Sequence, residues 1–193
     1  MSKVINLFTD FGFKRIFGQE ESKSLLIGFL NSLFEGEYVF KDLVYRDKER
    51  LPEDAEGRTV IYDIFCTLDD GRHFIVEMQN KNHVNFGDRA LYYVAKAIVV
   101  QAKKGGSWPY AYAPVVGVYF MNFKQSDFGR AYRVDFGVTK IREMFASEEA
   151  ESEHTKMLRE VLKDSVSNKI RMIFLQLPEF TKSESECQTN LDK

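Results

Sequence analysis

Residues 60–79, VIYDIFCTLDDGRHFIVEMQ, decide the fold of this chain. Two apolar runs rich in β-branched and aromatic residues, 60–68 and 73–79, flank a short polar segment. That segment contains Asp69-Asp70-Gly71, a strong signal for a tight hairpin turn. We therefore predict two antiparallel strands joined by this turn.

Each predicted strand carries one acid inside its apolar run. Asp63 and Glu77 are symmetric about Asp70, so a three-residue loop with Gly71 in the left-handed conformation would pair them on one face of the hairpin. Gln79, two residues beyond Glu77, would point the same way because side chains alternate along a strand. A two-residue loop would instead place the two acids on opposite faces.

Two carboxylates that meet across a hairpin repel each other unless a positive charge lies near them. Mg²⁺ and Mn²⁺ favour such oxygen ligands, and they activate water or stabilise charge on a phosphate. The alternative is that one acid faces solvent at a strand end and the other makes a surface salt bridge. The spacing alone leaves both interpretations open.

Helices and further strands surround the hairpin. Helical spacing of apolar residues predicts helices, and β-branched or aromatic runs predict strands. The predicted helices cover residues 20–34, 86–104 and 147–164, the predicted strands cover 39–45, 114–120 and 130–136, and residues 170–177 form another apolar element. This order predicts an α/β fold with a mixed central sheet flanked by helices.

Composition sets the broad class of the protein. The chain has 193 residues, of which 44% are hydrophobic and 29% charged, and this excludes an intrinsically disordered protein. We expect one domain over residues 1–180 and a polar, flexible tail over 181–193, where a longer protein could be truncated. Two cysteines, no signal peptide and no long apolar stretch predict a cytoplasmic protein without membrane contact.

The charge is unevenly distributed along the chain. The net charge of -2 argues against a dedicated nucleic-acid binder, which is usually basic. Residues 81–133, however, contain eight basic and two acidic residues, a local balance of +6, with tyrosines interleaved. This segment is either a solvated face or a surface for DNA.

Five ordered blocks carry a resemblance to a known family. The blocks are TDFGFKRIFG (9–18), LIGFLN (26–31), YDI (62–64), IVEMQ (75–79) and RALYY (89–93). Together they resemble the PD-(D/E)XK nuclease superfamily, in its Rpn/YhgA-like transposase-nuclease branch. The resemblance extends from about residue 9 to residue 180.

The resemblance implies a restriction-endonuclease-like core and a bacterial Mg²⁺- or Mn²⁺-dependent DNA endonuclease linked to transposition or recombination. It implies that Asp63 and Glu77 are metal ligands, with the backbone carbonyl of Met78 as a third. Gln79 stands where the superfamily usually has a lysine, and a neutral amide only orients its neighbours by hydrogen bonding. The alternative is a weak or inactive DNA-binding or assembly module that retains the fold. Homo-oligomer formation stays open.

Supporting residues are predicted on two helices. Asp10 and Lys14 are one helical turn apart and form either a surface pair or an extra carboxylate and a phosphate contact at the site. Arg89 and Gln101, on the helix after Gln79, are candidates to contact phosphate or orient water. The favoured alternative for Gln101 is a polar side chain on the solvent-facing side of the helix. The predicted DNA-binding residues are Lys81, Arg89, Lys96, Lys103 and Lys104.

Overall fold

A computed structural model describes residues 6, 8–46, 60–102, 109, 111–137 and 169–187. The predicted helix over 147–164, and Lys103 and Lys104, lie outside these ranges. The helices of eight or more residues in the described part are α1 (Asp10–Phe17), α2 (Lys23–Leu33) and α3 (Phe86–Val99). The strands are β1 (Leu43–Tyr45), β2 (Ile64–Leu68), β3 (His73–Gln79), β4 (Val115–Met121), β5 (Arg133–Gly137) and β6 (Ile170–Gln176).

The strands of the described residues form one mixed sheet in the order β1-β2-β3-β4-β6-β5. Strands β1, β2 and β3 are antiparallel neighbours, β3, β4 and β6 run parallel, and β5 is an antiparallel edge strand. Helix α3 connects β3 to β4, as a parallel pair requires a crossover. The predicted α/β class with a mixed central sheet is confirmed.

The hairpin between β2 and β3 has the predicted three-residue loop. Ile64 pairs with Val76, and each later pair keeps the same symmetry about Asp70. The N–H of Leu68 donates to the carbonyl of Arg72 at 2.9 Å, which closes the loop. Gly71 has a φ of 88°, a conformation that glycine adopts without the steric cost of a Cβ atom. The register therefore extends to positions 63 and 77.

Helices cover both faces of the sheet. On one face, Phe13 of α1 and Leu26 and Leu30 of α2 pack on alternate residues of the strands, including Val76. On the other face, Val94 of α3 packs in a second cluster. Strands β3 and β4 are buried on both faces, which explains their nearly continuous apolar sequences. Among the described residues, no helix has the length and apolar character needed to cross a membrane.

Several predicted boundaries are wrong because tertiary hydrogen bonds replace local pairing. Strand β1 begins at Leu43 instead of residue 39, since the side chain of Asn31 bonds to both the N–H and the carbonyl of Phe40. Strand β2 begins at Ile64 instead of residue 60. Helix α3 ends at Val99, five residues earlier than predicted, and is followed by a turn over residues 100–101.

The first predicted helix is interrupted. Residues 20–22 form a short 3-10 turn, and α2 starts only at Lys23. Its end matches the prediction, because Gly36 follows with a φ of 80°. The apolar element over residues 170–177 is the parallel strand β6 followed by a 3-10 turn.

Candidate active site

Asp63 and Glu77 are joined by backbone hydrogen bonds at one end of the hairpin. The N–H of Asp63 donates to Oε1 of Glu77 at 2.9 Å. The N–H of Met78 donates to Oδ2 of Asp63 at 3.0 Å, so a carboxylate takes the place of the next ladder bond. Because of this bond, regular pairing of β2 begins only at Ile64, and the Asp63 side chain is held against β3.

Residues 78 and 79 point their backbone groups to opposite sides of β3. The N–H and carbonyl of one strand residue face the same neighbouring strand, so the Met78 carbonyl faces the side on which Asp63 lies. The Gln79 carbonyl faces β4 and accepts the N–H of Asn122 at 2.9 Å. The Gln79 side chain donates through Nε2 to Oε2 of Glu77 at 3.3 Å. Gln79 therefore lies beside Glu77, as the alternation predicted.

Helix α1 brings a cation to this pair. Lys14 places Nζ 3.1 Å from Oδ1 of Asp63 and 2.6 Å from Oδ1 of Asp10. The helix begins with Thr9 as its N-cap, whose hydroxyl accepts the N–H of Gly12 at 3.0 Å. Burial alone would lower the pKa of Lys14, but the hydrogen bonds to Asp10 and Asp63 outweigh it and raise the pKa.

Glu77 is a buried acid with only 2% of its surface exposed. Burial, followed by repulsion from Asp63, raises the pKa of Glu77 to about 8. The N–H of Asp63 and the charges of Arg89 and Lys14 oppose this shift without cancelling it. A buried carboxyl whose pKa is raised by burial and by a neighbouring charge is a candidate functional group.

Three residues connect the middle of α3 to the segment that carries Asp63. Tyr62 is fully buried, and its hydroxyl donates to the carbonyl of Tyr93 at 3.0 Å. The guanidinium of Arg89 donates to the Tyr93 hydroxyl from Nη2 at 3.0 Å and from Nε at 3.2 Å. No role for Tyr62 is predicted from the sequence. The feature that could have indicated this contact is the aromatic residue directly before Asp63.

A family comparison now identifies the chain. The model of the PD-(D/E)XK nuclease family transposase matches residues 7–148, about three quarters of the sequence. The chain belongs to this family. The predicted resemblance is confirmed, and family membership connects the protein to nuclease activity and transposition. Neither the curated proteins nor the solved structures give a significant match.

The carboxylate pair of this family member fits a hard divalent cation. Mg²⁺ is usually held by one or two carboxylates and keeps several waters, so a pair of acids suffices. Asp63 and Glu77 could supply that pair, and the Met78 carbonyl faces the side on which Asp63 lies. In the described part of the chain, no group of three or more His, Cys, Asp and Glu side chains could hold a metal. The donor set therefore suits Mg²⁺ or Mn²⁺ better than a nitrogen- or sulfur-bound ion.

Gln101 is not part of this site, which corrects one prediction. Its Oε1 accepts the N–H of Ala113 at 2.8 Å, and its Nε2 donates to the Ala113 carbonyl at 3.2 Å. Ala113 leads into the start of β4, where Val115 pairs with His73. Glu77 occupies the opposite end of β3. Gln101 therefore anchors the connection to β4, because the length of α3 separates it from the carboxylate pair.

The described members of the predicted DNA-binding set lie in the loop after β3 and on α3. Lys81 is exposed in the loop after β3, and Arg89 is exposed in the first half of α3. Lys96 is partly buried, two helical turns beyond Arg89. Of the described basic residues in this prediction, Arg89 is the one whose charge acts on Glu77.

Proposed function

We propose that this protein is a metal-dependent DNA endonuclease that hydrolyses phosphodiester bonds in transposition or recombination. The single observation that carries the proposal is the buried Glu77 held against Asp63 in a chain of the PD-(D/E)XK nuclease family. Such a pair of oxygen ligands is costly to bury without a positive partner. A divalent cation held here would balance this charge and assist phosphodiester cleavage.

Asp63, Glu77 and the Met78 carbonyl would hold Mg²⁺ or Mn²⁺. The bound ion would supply a Lewis acid for the phosphate and an activated water. Glu77 must be ionised to act as a ligand, and because burial raises its pKa to about 8 in the metal-free chain, binding of the ion would require the loss of this proton. The backbone N–H of Asp63 and the amide of Gln79 keep the Glu77 carboxylate oriented before and after that loss.

Lys14 would supply the charge that Gln79 lacks. The superfamily's usual lysine stabilises charge near the scissile phosphate, and a glutamine at that position is neutral. The Lys14 ammonium lies within 3.1 Å of Asp63 and is positively charged over the whole physiological range. Asp10 orients it through the 2.6 Å contact. In this proposal Lys14 contacts the phosphate, and Gln79 positions Glu77.

The DNA backbone would contact Lys81, Arg89 and Lys96. Contacts from lysine and arginine to phosphates fix the position of DNA without reading its sequence. We therefore expect weak sequence preference and strong salt dependence of binding. Lys103 and Lys104, which lie outside the described residues, are also predicted to contact DNA.

The direct test is plasmid nicking by the purified chain with Mg²⁺ or Mn²⁺. We expect nicking that EDTA abolishes and that disappears in Asp63→Asn and Glu77→Gln, with products ending in a 3′-hydroxyl. Asp127→Asn is the matched control, because Asp127 is an exposed acid in a 3-10 turn remote in sequence from the pair. Equal nicking by Asp63→Asn and the intact chain would contradict the assignment.

The alternative function is a DNA-binding or assembly module without cleavage. It is favoured by the neutral Gln79 and by the protein donors that already bond to both carboxylates. This alternative predicts salt-sensitive DNA binding that Asp63→Asn and Glu77→Gln leave unchanged. It also predicts no nicking by the intact chain with either metal.

A further inference from the structure

A groove of about 650 Å³ lies between the loop before α3 and the exposed side of α3. This volume lies within the range of about 300–1,000 Å³ that is typical of ligand sites. The groove is lined by Val60, by His83 and Val84 in the loop before α3, and by Arg89, Tyr92 and Tyr93 of α3. We call it the Tyr92 groove.

The Tyr92 groove shares residues with the candidate active site. Arg89 lines the groove, and its charge acts on Glu77. Tyr93 lines the groove, and its carbonyl accepts the hydroxyl of Tyr62, the residue directly before Asp63. The groove and the candidate active site are therefore linked through Arg89 and Tyr93.

The walls of the groove present apolar surface and aromatic rings to solvent. Val84 is 93% exposed and Tyr92 is 44% exposed. The rings of Tyr92 and Tyr93 are 6.5 Å apart at an angle of 58°, so they form two differently inclined walls. Tyrosine rings of this kind are the surfaces on which proteins stack nucleobases, and any base has a face to offer.

The charge of the groove suits a phosphate. The guanidinium of Arg89 has five N–H donors, and its bonds to the Tyr93 hydroxyl use Nε and Nη2. No other hydrogen bond or ion pair within the described ranges holds this side chain. None of the residues described as lining the groove is acidic, and His83 adds a second nitrogen donor or acceptor.

We infer that the Tyr92 groove binds an unpaired nucleobase of single-stranded DNA, with the adjacent phosphate on Arg89. This inference rests on the proposed nuclease function, for which it names the substrate class. A base inside a duplex is stacked on both faces and cannot lie against Tyr92, whereas a base in a single strand can. The protein therefore acts on single strands or on single-stranded segments within longer DNA.

The test is fluorescence anisotropy of the full chain with a labelled single-stranded 12-mer and with the matching duplex, both in EDTA to prevent cleavage. We expect tighter binding of the single strand. Tyr92→Ala should weaken this binding about tenfold or more and leave duplex binding unchanged. Tyr92→Phe should retain the affinity, because stacking requires the ring. Leu91→Ala is the control, since Leu91 is an apolar residue of α3 with 46% exposure that does not line the groove.

A second pair of variants tests the groove through charge. Val84→Glu should weaken single-strand binding by repelling the phosphate, and Val99→Glu at the far end of α3 should not. Equal affinity for single strand and duplex, or an unchanged affinity in both Tyr92→Ala and Val84→Glu, would overturn the inference. Preferential single-strand binding without cleavage in Mg²⁺ or Mn²⁺ would support the groove and reject the nuclease. Cleavage that depends on Asp63, with no effect of either groove variant, would reject the groove alone.

Discussion

The ammonium nitrogen of Lys14 lies 3.1 Å from Oδ1 of Asp63, although the two residues belong to different elements. Packing explains this contact, because Phe13 and Phe17 of α1 pack against Phe120 of β4, edge-to-face at 5.4 Å and stacked at 6.1 Å between ring centroids. The sheet thus fixes α1 at the end where the carboxylates lie. A positive charge stands beside the pair even though Gln79 is neutral.

Replacing Lys14 with alanine should lower the nicking rate about 10²- to 10³-fold, because it removes a positioned charge that acts on the phosphate. Lys14→Arg should retain part of the activity. The control is Lys23→Ala on α2, since Lys23 also pairs with an acid, Asp42, at 2.7 Å. The rate is measured on supercoiled plasmid at saturating Mg²⁺. Wild-type activity of Lys14→Ala would show that the contact is only a surface pair.

A lysine at position 79 should partly restore the nicking activity that Lys14→Ala loses. In the Lys14→Ala background, Gln79→Lys returns a positive charge to the neighbourhood of Glu77 through β3, so we expect a rise of about tenfold or more over Lys14→Ala alone. Gln79→Glu in the same background is the comparison and should stay inactive. Plasmid nicking measures both double variants. If Lys14→Ala/Gln79→Lys nicks DNA no faster than Lys14→Ala alone, a positive charge at position 79 does not replace the charge of Lys14.

The stability of the metal-free protein should fall as the pH rises. The folded-state pKa of Glu77 is about 8, above its ordinary value of 4.5, so between these values the folded state binds more protons than the unfolded state. The stabilising contribution is therefore complete below about pH 4.5 and is lost as the pH approaches 8. We expect a decrease of several kcal/mol at most, measured by urea unfolding in EDTA.

Glu77→Gln is the matched variant for this pH dependence. It keeps the shape and cannot ionise, so its stability should change less between pH 5 and 8 than that of the intact chain. Mg²⁺ at pH 8 should raise the melting temperature of the intact chain and not that of Glu77→Gln. Parallel pH profiles of the two proteins would show that Glu77 is not the titrating group.

Gln101→Ala should reduce stability and leave the chemistry intact. The substitution removes both hydrogen bonds to the backbone of Ala113, which we expect to cost about 1–3 kcal/mol. Urea unfolding measures this loss, and nicking at a temperature where the variant is fully folded should equal that of the wild type. A lower nicking rate with unchanged stability would instead return Gln101 to the active site.

The hairpin and its carboxylates were accessible from the sequence because they depend on local rules. The turn at Gly71 sets the register, and strand alternation then places Glu77 and Gln79 on the same face. The start of β2 was mispredicted, since nothing local reveals that the Asp63 side chain takes the N–H of Met78. Gln101 was misplaced for a similar reason, because its partner Ala113 lies across a loop.

By itself, the sequence predicted the hairpin that carries Asp63 and Glu77, the mixed α/β architecture and the family, and the structure then decided between the two possible loop lengths. Apolar periodicity and turn chemistry act over a few residues, and the family pattern can be read from the residue types alone. Only the tertiary structure decided the burial of Glu77, the approach of Lys14 and the groove at Tyr92. Each of these depends on how a helix packs against the sheet, which sets side-chain distances that sequence spacing does not encode.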